Sequence, residues 1–458
     1  MVNIVLCGGS GTRLWPISRK LMPKQFVKIF NENSLFELTL ERNRLLCDEF
    51  FIISNETQYF LALDQSKNYV NNRKFLLEPL GKNTAPAIAL ACFSLNKDDI
   101  VLVTPSDHLI KDENEYKRVV KKAKEVADKN FLVTFGIEPD TPETGYGYIQ
   151  VKKEKESLAC DVELFHEKPK IEKAKEYLLN GNFFWNSGMF CFKAGVFLDE
   201  LQKYSPEIYN ASKNAFENAI KDNSIIRIQE DFMESIPENS IDIAVMEKSK
   251  KVKLIKSNIQ WSDLGSFDSL STEISSNTKN IVDIDSDNNF IYAEEENKVI
   301  ATIGINDFII VDTKDALLIS KKNESQKVKE IVKKLKNSKS DTLSTHKLIH
   351  RPWGTYETLM DKNRYKIKKI IVKPGKRLSL QKHYHRSEHW VVVSGTATVT
   401  VGNNTTIIRP NESTYIKMGE IHRLENKGKI DVILIEVQVG EYTKEDDIVR
   451  LEDDYKRT

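Results

Sequence analysis

The chain has 458 residues, 40% of them hydrophobic, and carries 68 Lys and Arg against 67 Asp and Glu, a formal net charge of +1. That length leaves room for roughly two to four domains, and so balanced a charge creates no global field favouring nucleic acid or a membrane surface. No long apolar run marks a membrane helix and the sequence runs straight into "VNIVLC", so neither a span nor a signal peptide is predicted and the expected location is cytoplasmic. The five cysteines (Cys7, Cys47, Cys92, Cys160 and Cys191) are odd in number, sit mostly in apolar runs and read as reduced core residues. Of eight histidines only His108 and His166 precede residue 340.

In chain order, the first part alternates. "NIVLC", "FFIIS", "KFLLE", "IVLVT" and "FLVTF" read as strands. "SLFELTLERNRLL" and "NTAPAIALACFSL" have helical spacing, with Ser34 and Asn83 as predicted N-caps. Strand–helix alternation predicts a Rossmann-like α/β domain with a mostly parallel sheet, whose ligands bind beyond the C-terminal strand ends. The loop after the first strand and "TPSDH" after "IVLVT" both fall on that edge.

Past about Leu270 the texture changes. "STEISSNTKN" is polar, and the residues after it read as several short strands. "NESQKVKEIVKKLKNSKS" predicts an amphipathic helix with Val328, Ile331, Val332 and Leu335 on one face and a capping box from Asn323 and Gln326. "NSKSDTLST" reads as a linker. From His350 on, short strands such as "YKIKKIIV", "HWVVV", "ATVTV" and "DVILIEVQV" alternate with turn residues and predict a small sandwich or barrel. No internal repeat links the parts. The predicted domains are 1–268, a β-rich connecting segment 269–343, and 344–458.

Two stretches carry chemistry. "LCGGSGTRLWPISRKLMPKQF", from Leu6, sets three glycines and a serine ahead of Arg13, Arg19, Lys20 and Lys24. Glycine lets backbone N–H groups approach an anion, and neighbouring cations suit a phosphate chain. Gly11 is followed by Thr12 and Arg13, unlike a P-loop, and Leu14 stands where a dinucleotide loop has its third glycine. A tight turn with solvated charges is the structural alternative. In "PGKRLSLQKHYHRSEHWVVVSG" three histidines crowd with Gln381 and Glu388. Alternate strand residues share a face, so Gln381, His383 and His385 are expected to point one way. Imidazole with carboxylate suits zinc or another first-row divalent ion; a metal-free histidine cluster is the alternative.

The first stretch resembles the signature loop of sugar-nucleotide pyrophosphorylases, and its tail "WPISRKLMPKQF" the mannose-1-phosphate guanylyltransferase form. "EPLGKNTAPAIAL", "TPSDHLI", "ETGYGYI", "FHEKP", "WNSGMF" and "WSDLGS" stand in that family's order. The resemblance implies attack of a sugar phosphate on the α-phosphorus of a nucleoside triphosphate, with pyrophosphate leaving. All the reacting groups are anionic, so shielding and alignment dominate catalysis. The amides from Gly8 and Gly9 through Gly11 and Thr12, with Asn83 and Thr84, are then expected at the nucleotide. Arg13 and Lys24 would neutralise the phosphates. Asp107 and Asp263 are the candidate magnesium ligands, since magnesium prefers carboxylate oxygen. Gly145, Glu167, Lys168 and Asn186 are implied at the sugar phosphate. The residues alone also allow Asp107 as a helix cap, Asp263 as a turn aspartate and Glu167–Lys168 as a surface ion pair.

The second stretch resembles the first cupin motif through Gly375, Gln381 (in place of the usual first histidine), His383, Glu388 and Gly395. "KMGEIHRLEN" resembles the second, with Gly419, His422 and Asn426 and with Lys417 replacing its proline. The implied ligands are Gln381, His383, Glu388 and His422, the set of mannose-6-phosphate isomerases. His385 and His389 fall outside that set. Arg386 is a candidate for phosphate binding or enediolate stabilisation, or else a solvated surface arginine. Glu436, Asp447 and Lys376 are candidate bases.

With "RPWGTYETL" and "GEYTKEDDIVRLEDDYKR", the resemblance extends over nearly the whole chain to bifunctional bacterial enzymes of GDP-mannose supply. It implies magnesium-dependent synthesis of GDP-mannose and diphosphate from mannose 1-phosphate and GTP. It also implies interconversion of mannose 6-phosphate and fructose 6-phosphate in a cupin holding zinc, cobalt or another divalent ion, a role in polysaccharide biosynthesis, and a homodimer. One rival reading makes the cupin a non-catalytic sensor or dimerisation module; another is a pyrophosphorylase for a different sugar or nucleotide.

Overall fold

In the computed structural model, which describes every residue except 10, 153–157, 279, 296, 339 and 456–458, the five apolar runs are strands: Val2–Leu6, Glu49–Asn55, Arg73–Glu78, Ile100–Pro105 and Leu132–Ile137. They are apolar without a break because both faces are covered. Ile4, Phe51, Leu76 and Val103 enter one core, while Val5, Ile52, Phe75 and Leu102 enter the other.

Among the described residues these strands belong to an eleven-stranded sheet. Ile225–Arg227, Arg73–Glu78, Glu49–Asn55, Val2–Leu6 and Ile100–Pro105 run parallel. Phe183–Lys193 lies antiparallel between Ile100–Pro105 and Leu132–Ile137. The predicted α/β class is thus found, but the sheet is mixed: five neighbouring pairs are parallel, and Phe183–Lys193, Ala159–His166 and Ile220–Asp222 run reversed against their neighbours.

The first two predicted helices start where their caps predict. Ser34 accepts the Glu37 N–H at 3.1 Å and Glu37 Oε2 accepts the Ser34 N–H at 2.8 Å, a complete capping box for Leu35–Asn43. Asn83, at φ +72°, accepts the Thr84 N–H ahead of Thr84–Cys92. All five cysteines are buried and none forms a disulfide. No helix among the described residues is long and apolar enough to cross a membrane.

The strands of 281–293 coil against those of 300–312. Ile281 pairs in parallel with Ile300, Asp287 with Asn306 and Phe290 with Ile309. The partners are always 19 residues apart, as in the Asn288–Asp307 side-chain bond. This internal repeat is invisible in the sequence because few positions match. Phe308–Asp312 then pairs antiparallel with Leu317–Lys321.

The helix that follows, Val328–Asn337, differs from expectation at both its cap and its face. Asn323 and Gln326 form no capping box. Asn323 is held at φ +67° with its N–H on Asp268 Oδ1, and the Ser325 N–H donates to the same carboxylate at 3.3 Å. Val328 is buried, but Ile331 is 37% exposed. The run read as a linker, of which Lys339 lies outside the described residues, is anchored: Trp15 Nε1 donates to the Thr342 carbonyl at 3.1 Å and the Lys20 N–H to Leu343 at 3.0 Å.

The chain divides into two compact units, Met1–Thr313 with Leu317–Leu343, and Lys314–Ala316 with Ser344–Thr458. The second is a barrel of two antiparallel sheets, one of six strands and one of five among the described residues. Trp390, Val392, Val399, Leu424 and Leu434 fill its core. This is the predicted all-β cupin architecture.

Candidate active sites

The glycine loop leaves Val2–Leu6 at the ligand-bearing edge. Gly11 has φ +57°, and a Cβ there would lie 2.8 Å from Lys24 Cβ, so only glycine lets the loop fold back over Lys24. Gly8, Gly9 and Thr12 are exposed and Arg13 is half-buried; Ser10 lies outside the described residues. Of the clustered cations, Arg19 faces inward. It is 1% exposed, and Nε donates to the Pro16 carbonyl at 3.2 Å.

Lys24 joins the two predicted magnesium ligands. Its Nζ is 2.8 Å from Asp107 Oδ2 and donates to the Asp263 carbonyl at 2.6 Å. The aspartates meet because Leu109–Ile110 pairs antiparallel with Trp261–Ser262. Asp263 Oδ1 accepts the Tyr146 hydroxyl at 2.8 Å and the Gly265 N–H at 2.9 Å. A Cβ on Gly265 would lie 2.6 Å from Asp263 Oδ2 and 3.1 Å from Arg13 Nη1, which places Arg13 beside this carboxylate.

Burial acts to raise the Asp107 pKa, but Lys24 and His108 outweigh it and hold the carboxyl below its ordinary value. Burial and the Asp263 charge push the Tyr146 phenol well up. Trp261 Nε1 donates to His108 Nδ1 at 3.1 Å, and burial keeps that imidazole below its usual range. Each aspartate keeps one oxygen outside these hydrogen bonds, Asp107 Oδ1 and Asp263 Oδ2, and two such hard oxygens suit magnesium.

The four sugar-site residues also converge. The Asn186 N–H donates to Gly147 at 2.8 Å and the Lys168 N–H to Tyr146 at 3.2 Å, which draws 145–147, 167–168 and 186 together. Glu167 Oε1 pairs with Lys168 Nζ at 2.9 Å, and the Lys168 side chain is 64% exposed. Asn186 Oδ1 accepts the Thr134 hydroxyl at 3.0 Å, while Nδ2 donates to Asp242 Oδ1 at 2.9 Å. Burial first, then the Glu167 charge, pushes the Asp242 carboxyl up to about 7. Thr84 Oγ1 accepts the Ile241 N–H at 2.9 Å, so part of the predicted nucleotide loop holds the turn that carries Asp242.

In the barrel His383, Glu388 and His422 are each 2% exposed or less, with ligand atoms all within 4.8 Å of one another. His383 Nε2 is 3.0 Å from Glu388 Oε1, and His422 Nε2 is 3.6 Å from Glu388 Oε2. Gln381 opposes His422 in the strand register. Its Oε1 accepts the Ser379 hydroxyl at 2.8 Å while its Nε2 faces His383 Nε2 at 3.5 Å. Half a turn of the amide would present its oxygen, the ligand atom of a carboxamide.

The donors test the metal directly. His422 Nδ1 lies 2.9 Å from the Glu420 carbonyl, which makes it the N–H donor, and burial holds this imidazole below its usual pKa. The lone pair of its Nε2 therefore faces a carboxylate, buried and with no hydrogen-bond partner. Two acceptors facing each other fit a cation between them. Burial acts to raise Glu388, yet His383, His422 and Arg386 hold it well below the usual range. Trp390 Nε1, Gln438 Nε2 and Arg386 Nε all donate to it, at 3.1, 3.1 and 3.2 Å.

One expectation is corrected here and one alternative excluded. The strand Leu380–His383 ends before His385, so the alternation does not reach it. The His385 side chain is 60% exposed, with Nδ1 2.8 Å from Asp447 Oδ1. Arg386 is not a solvated arginine: it is 1% exposed, and Nη1 donates to the Lys444 carbonyl at 2.8 Å. Of the base candidates, Lys376 is exposed, Asp447 binds His385, and Glu436 is buried, accepting from Trp390 at 3.1 Å. Burial first, then Glu388, pushes the Glu436 carboxyl up to about 8.

Comparison with known proteins finds relatives for both parts of the chain. Residues 2–280 match the nucleotidyl transferase family, 279–335 the MannoseP isomerase/GMP-like beta-helix domain, and 336–453 the mannose-6-phosphate isomerase C-terminal family. Mannose-1-phosphate guanylyltransferase 2 of Escherichia coli O157:H7 is 43% identical, the alignment covering 100% of this chain and 98% of that one. The chain belongs to the bifunctional mannose-1-phosphate guanylyltransferase and mannose-6-phosphate isomerase family.

Other members of this guanylyltransferase–isomerase family serve exopolysaccharides by name. The alginate biosynthesis protein AlgA of Pseudomonas aeruginosa is 40% identical over 100% of this chain and 98% of its own. Among solved structures, a mannose-6-phosphate isomerase from Helicobacter pylori is 45% identical, with TM-score 0.52 over 57% of this chain and 98% of that one. A Thermus thermophilus protein described as a mannose-1-phosphate geranyltransferase is 29% identical, with TM-score 0.64 over 73% of this chain and 99% of that one. Enzymes of both constituent families work with divalent metals, and the barrel cluster offers such a site. Sequence reasoning missed Asp242, in the unremarked run "SIDIAVMEK", and gave no role to Tyr146 or Trp261, although both stood in quoted motifs.

Proposed function

We propose that residues 1–268 convert mannose 1-phosphate and GTP to GDP-mannose and diphosphate, and that residues 344–458 interconvert mannose 6-phosphate and fructose 6-phosphate. The observation that carries the first reading is the Lys24 bridge between Asp107 and Asp263. The glycine-loop amides and Arg13 would hold the triphosphate, with Lys24 countering charge on the transferring phosphate. Glu167, Lys168, Gly145 and Asn186 would bind the sugar phosphate, with Asn83 and Thr84 shaping the nucleotide side. Magnesium, held by Asp107 and Asp263, would supply charge stabilisation to the phosphates.

In the barrel Gln381, His383, Glu388 and His422 would hold zinc, cobalt or another divalent ion, whose chemistry there is carbonyl polarisation. Arg386 orients Glu388 through Nε and brings a fixed positive charge toward the enediolate. A cupin that only senses or dimerises is disfavoured, because a binding module has no need of two buried imidazoles facing a carboxylate. A cytoplasmic homodimer serving polysaccharide synthesis completes the reading. Val282, Ile284 and Ile303, each more than half exposed, support a partner surface.

Substrate assays with GTP, ATP, UTP and dTTP beside mannose 1-phosphate test the first activity, and isomerase turnover the second. Arg13→Ala is expected to lower GDP-mannose synthesis by about 10²- to 10³-fold, the usual loss for one charge-stabilising donor, and to leave the isomerase rate unchanged. Parallel loss of both activities in folded protein would refute two separate sites. Asp242→Ala should free the Asn186 amide. The expected result is a KM for mannose 1-phosphate raised about tenfold or more, as for a lost hydrogen bond to a charged group, with the KM for GTP unmoved. An unchanged sugar KM would show that Asp242 does not position Asn186.

A further inference from the structure

The strand Val432–Gly440 alternates along the barrel: Val432, Leu434, Glu436 and Gln438 are buried, and the residues between them less so. Val432 and Leu434 enter the apolar core, so the same face carries Glu436 and Gln438 on toward the histidine–carboxylate cluster. Gln438 opposes Glu388 in the register with the neighbouring strand and is 1% exposed. Its Nε2 donates to Glu388 Oε1 at 3.1 Å and to Glu436 Oε2 at 2.9 Å. Two carboxyl groups on either side require the nitrogen at that place and use both its hydrogens. The oxygen is left over: Gln438 Oε1 is buried with no hydrogen-bond partner.

The donors around it are engaged elsewhere. Lys366, opposite Gln438 on the other neighbouring strand, donates to the Thr443 carbonyl at 3.2 Å and pairs with Asp361 at 3.1 Å. Lys368 pairs with Glu445. Trp390 Nε1 is shared between Glu388 and Glu436, at 3.1 Å from each. Arg386 turns Nε to Glu388 and Nη1 to the Lys444 carbonyl. A buried acceptor without a donor carries its full desolvation cost, so such a group in a folded protein calls for a partner. In an open-chain sugar phosphate the carbonyl and the phosphate oxygens only accept, and the hydroxyls are the groups that can donate.

We infer that Gln438 binds the substrate of the barrel, its Oε1 accepting the hydroxyl hydrogen on the carbon next to the carbonyl, C2 of mannose 6-phosphate. This rests on the isomerase reading. Gln438 is hydrogen-bonded directly to Glu388, so it stands one side chain from the groups expected to act on the carbonyl, and the adjoining hydroxyl is the donor closest to them. One amide then serves two ends: its nitrogen fixes the carboxylate and its oxygen fixes the reacting end of the sugar. A sugar without that hydroxyl leaves Oε1 unpaired and is rejected, as at any site built to hydrogen-bond a substrate hydroxyl.

The test uses two open-chain polyols that cannot isomerise, mannitol 6-phosphate and its 2-deoxy counterpart. Each is titrated calorimetrically into the full-length enzyme and into Gln438→Leu, at equal zinc content. The wild type should bind mannitol 6-phosphate roughly 5- to 150-fold more tightly than the 2-deoxy compound, the range expected when a buried acceptor is left unsatisfied. Gln438→Leu should lose most of that preference, and its GDP-mannose synthesis should hold. A role confined to holding Glu388 would weaken both polyols alike, and that result overturns the inference. The wild-type comparison needs no variant, so equal binding of the two polyols overturns it even if Gln438→Leu misfolds. With normal isomerase turnover, either result overturns this inference alone. No turnover of mannose 6-phosphate with zinc or cobalt overturns the isomerase reading and this inference with it.

Discussion

Asp263→Asn is expected to slow nucleotidyl transfer by about 10³-fold while leaving the fold intact. Charge stabilisation by a bound metal is worth several kcal/mol, and each 1.36 kcal/mol is about tenfold in rate. The substitution keeps the shape of the side chain. Its two observed partners, the Tyr146 hydroxyl and the Gly265 N–H, are uncharged, so asparagine still accepts from both. Asp107→Asn should be as slow but also less stable, because it removes the carboxylate paired with Lys24, whose side chain is only 6% exposed. Leaving a buried charge without its partner typically costs about 3–5 kcal/mol, an upper figure here because Asp107 is 30% exposed. Magnesium titrations of the rate with denaturation curves for both variants separate the two effects. Near-normal turnover at limiting magnesium in either variant would show that its aspartate is not a ligand.

Removal of divalent metal is expected to abolish isomerisation, with zinc or cobalt restoring it and GDP-mannose synthesis recovering with magnesium alone. His422→Ala should lose most of the barrel's metal, because it deletes the nitrogen whose lone pair has no protein partner. His385→Ala should retain metal, since that imidazole binds Asp447 and is mostly exposed. Arg386→Ala should retain metal and lose turnover, though it leaves Glu388 one donor short. Metal content measured beside isomerase rate for each variant is the decisive comparison. Metal lost from His385→Ala but kept in Gln381→Ala would mean a different ligand set. Full isomerase activity in metal-free protein would end the metal mechanism.

The two active sites were legible in the sequence to different depths. At the barrel, Gln381 and His383 lie two apart on one strand and Glu388 soon after, so local alternation nearly assembles the cluster. His385 shows where that reasoning stops, since alternation holds only while the strand lasts and this strand ends at His383. At the nucleotide edge, Asp107 and Asp263 had no local relation, and only the resemblance joined them. A two-residue antiparallel pairing with Trp261–Ser262 makes the contact, and nothing in either segment's own pattern specifies its partner.

By itself the sequence determined what depends on near neighbours. Continuous apolar runs became strands because both faces are buried, Ser34 and Glu37 capped their helix through bonds spanning three residues, and alternation with turn residues made a barrel. Tertiary structure decided whatever depends on which distant groups meet and which lose water. It turned Arg19 and Arg386 inward, wound 281–293 against 300–312 in a coil of 19-residue spacing, locked Asn186 against Asp242, and left Glu78 Oε1 buried without a partner. The physical reason is that backbone propensity is local, whereas the desolvation of a charge and the register between strands are set by packing from elements far along the chain.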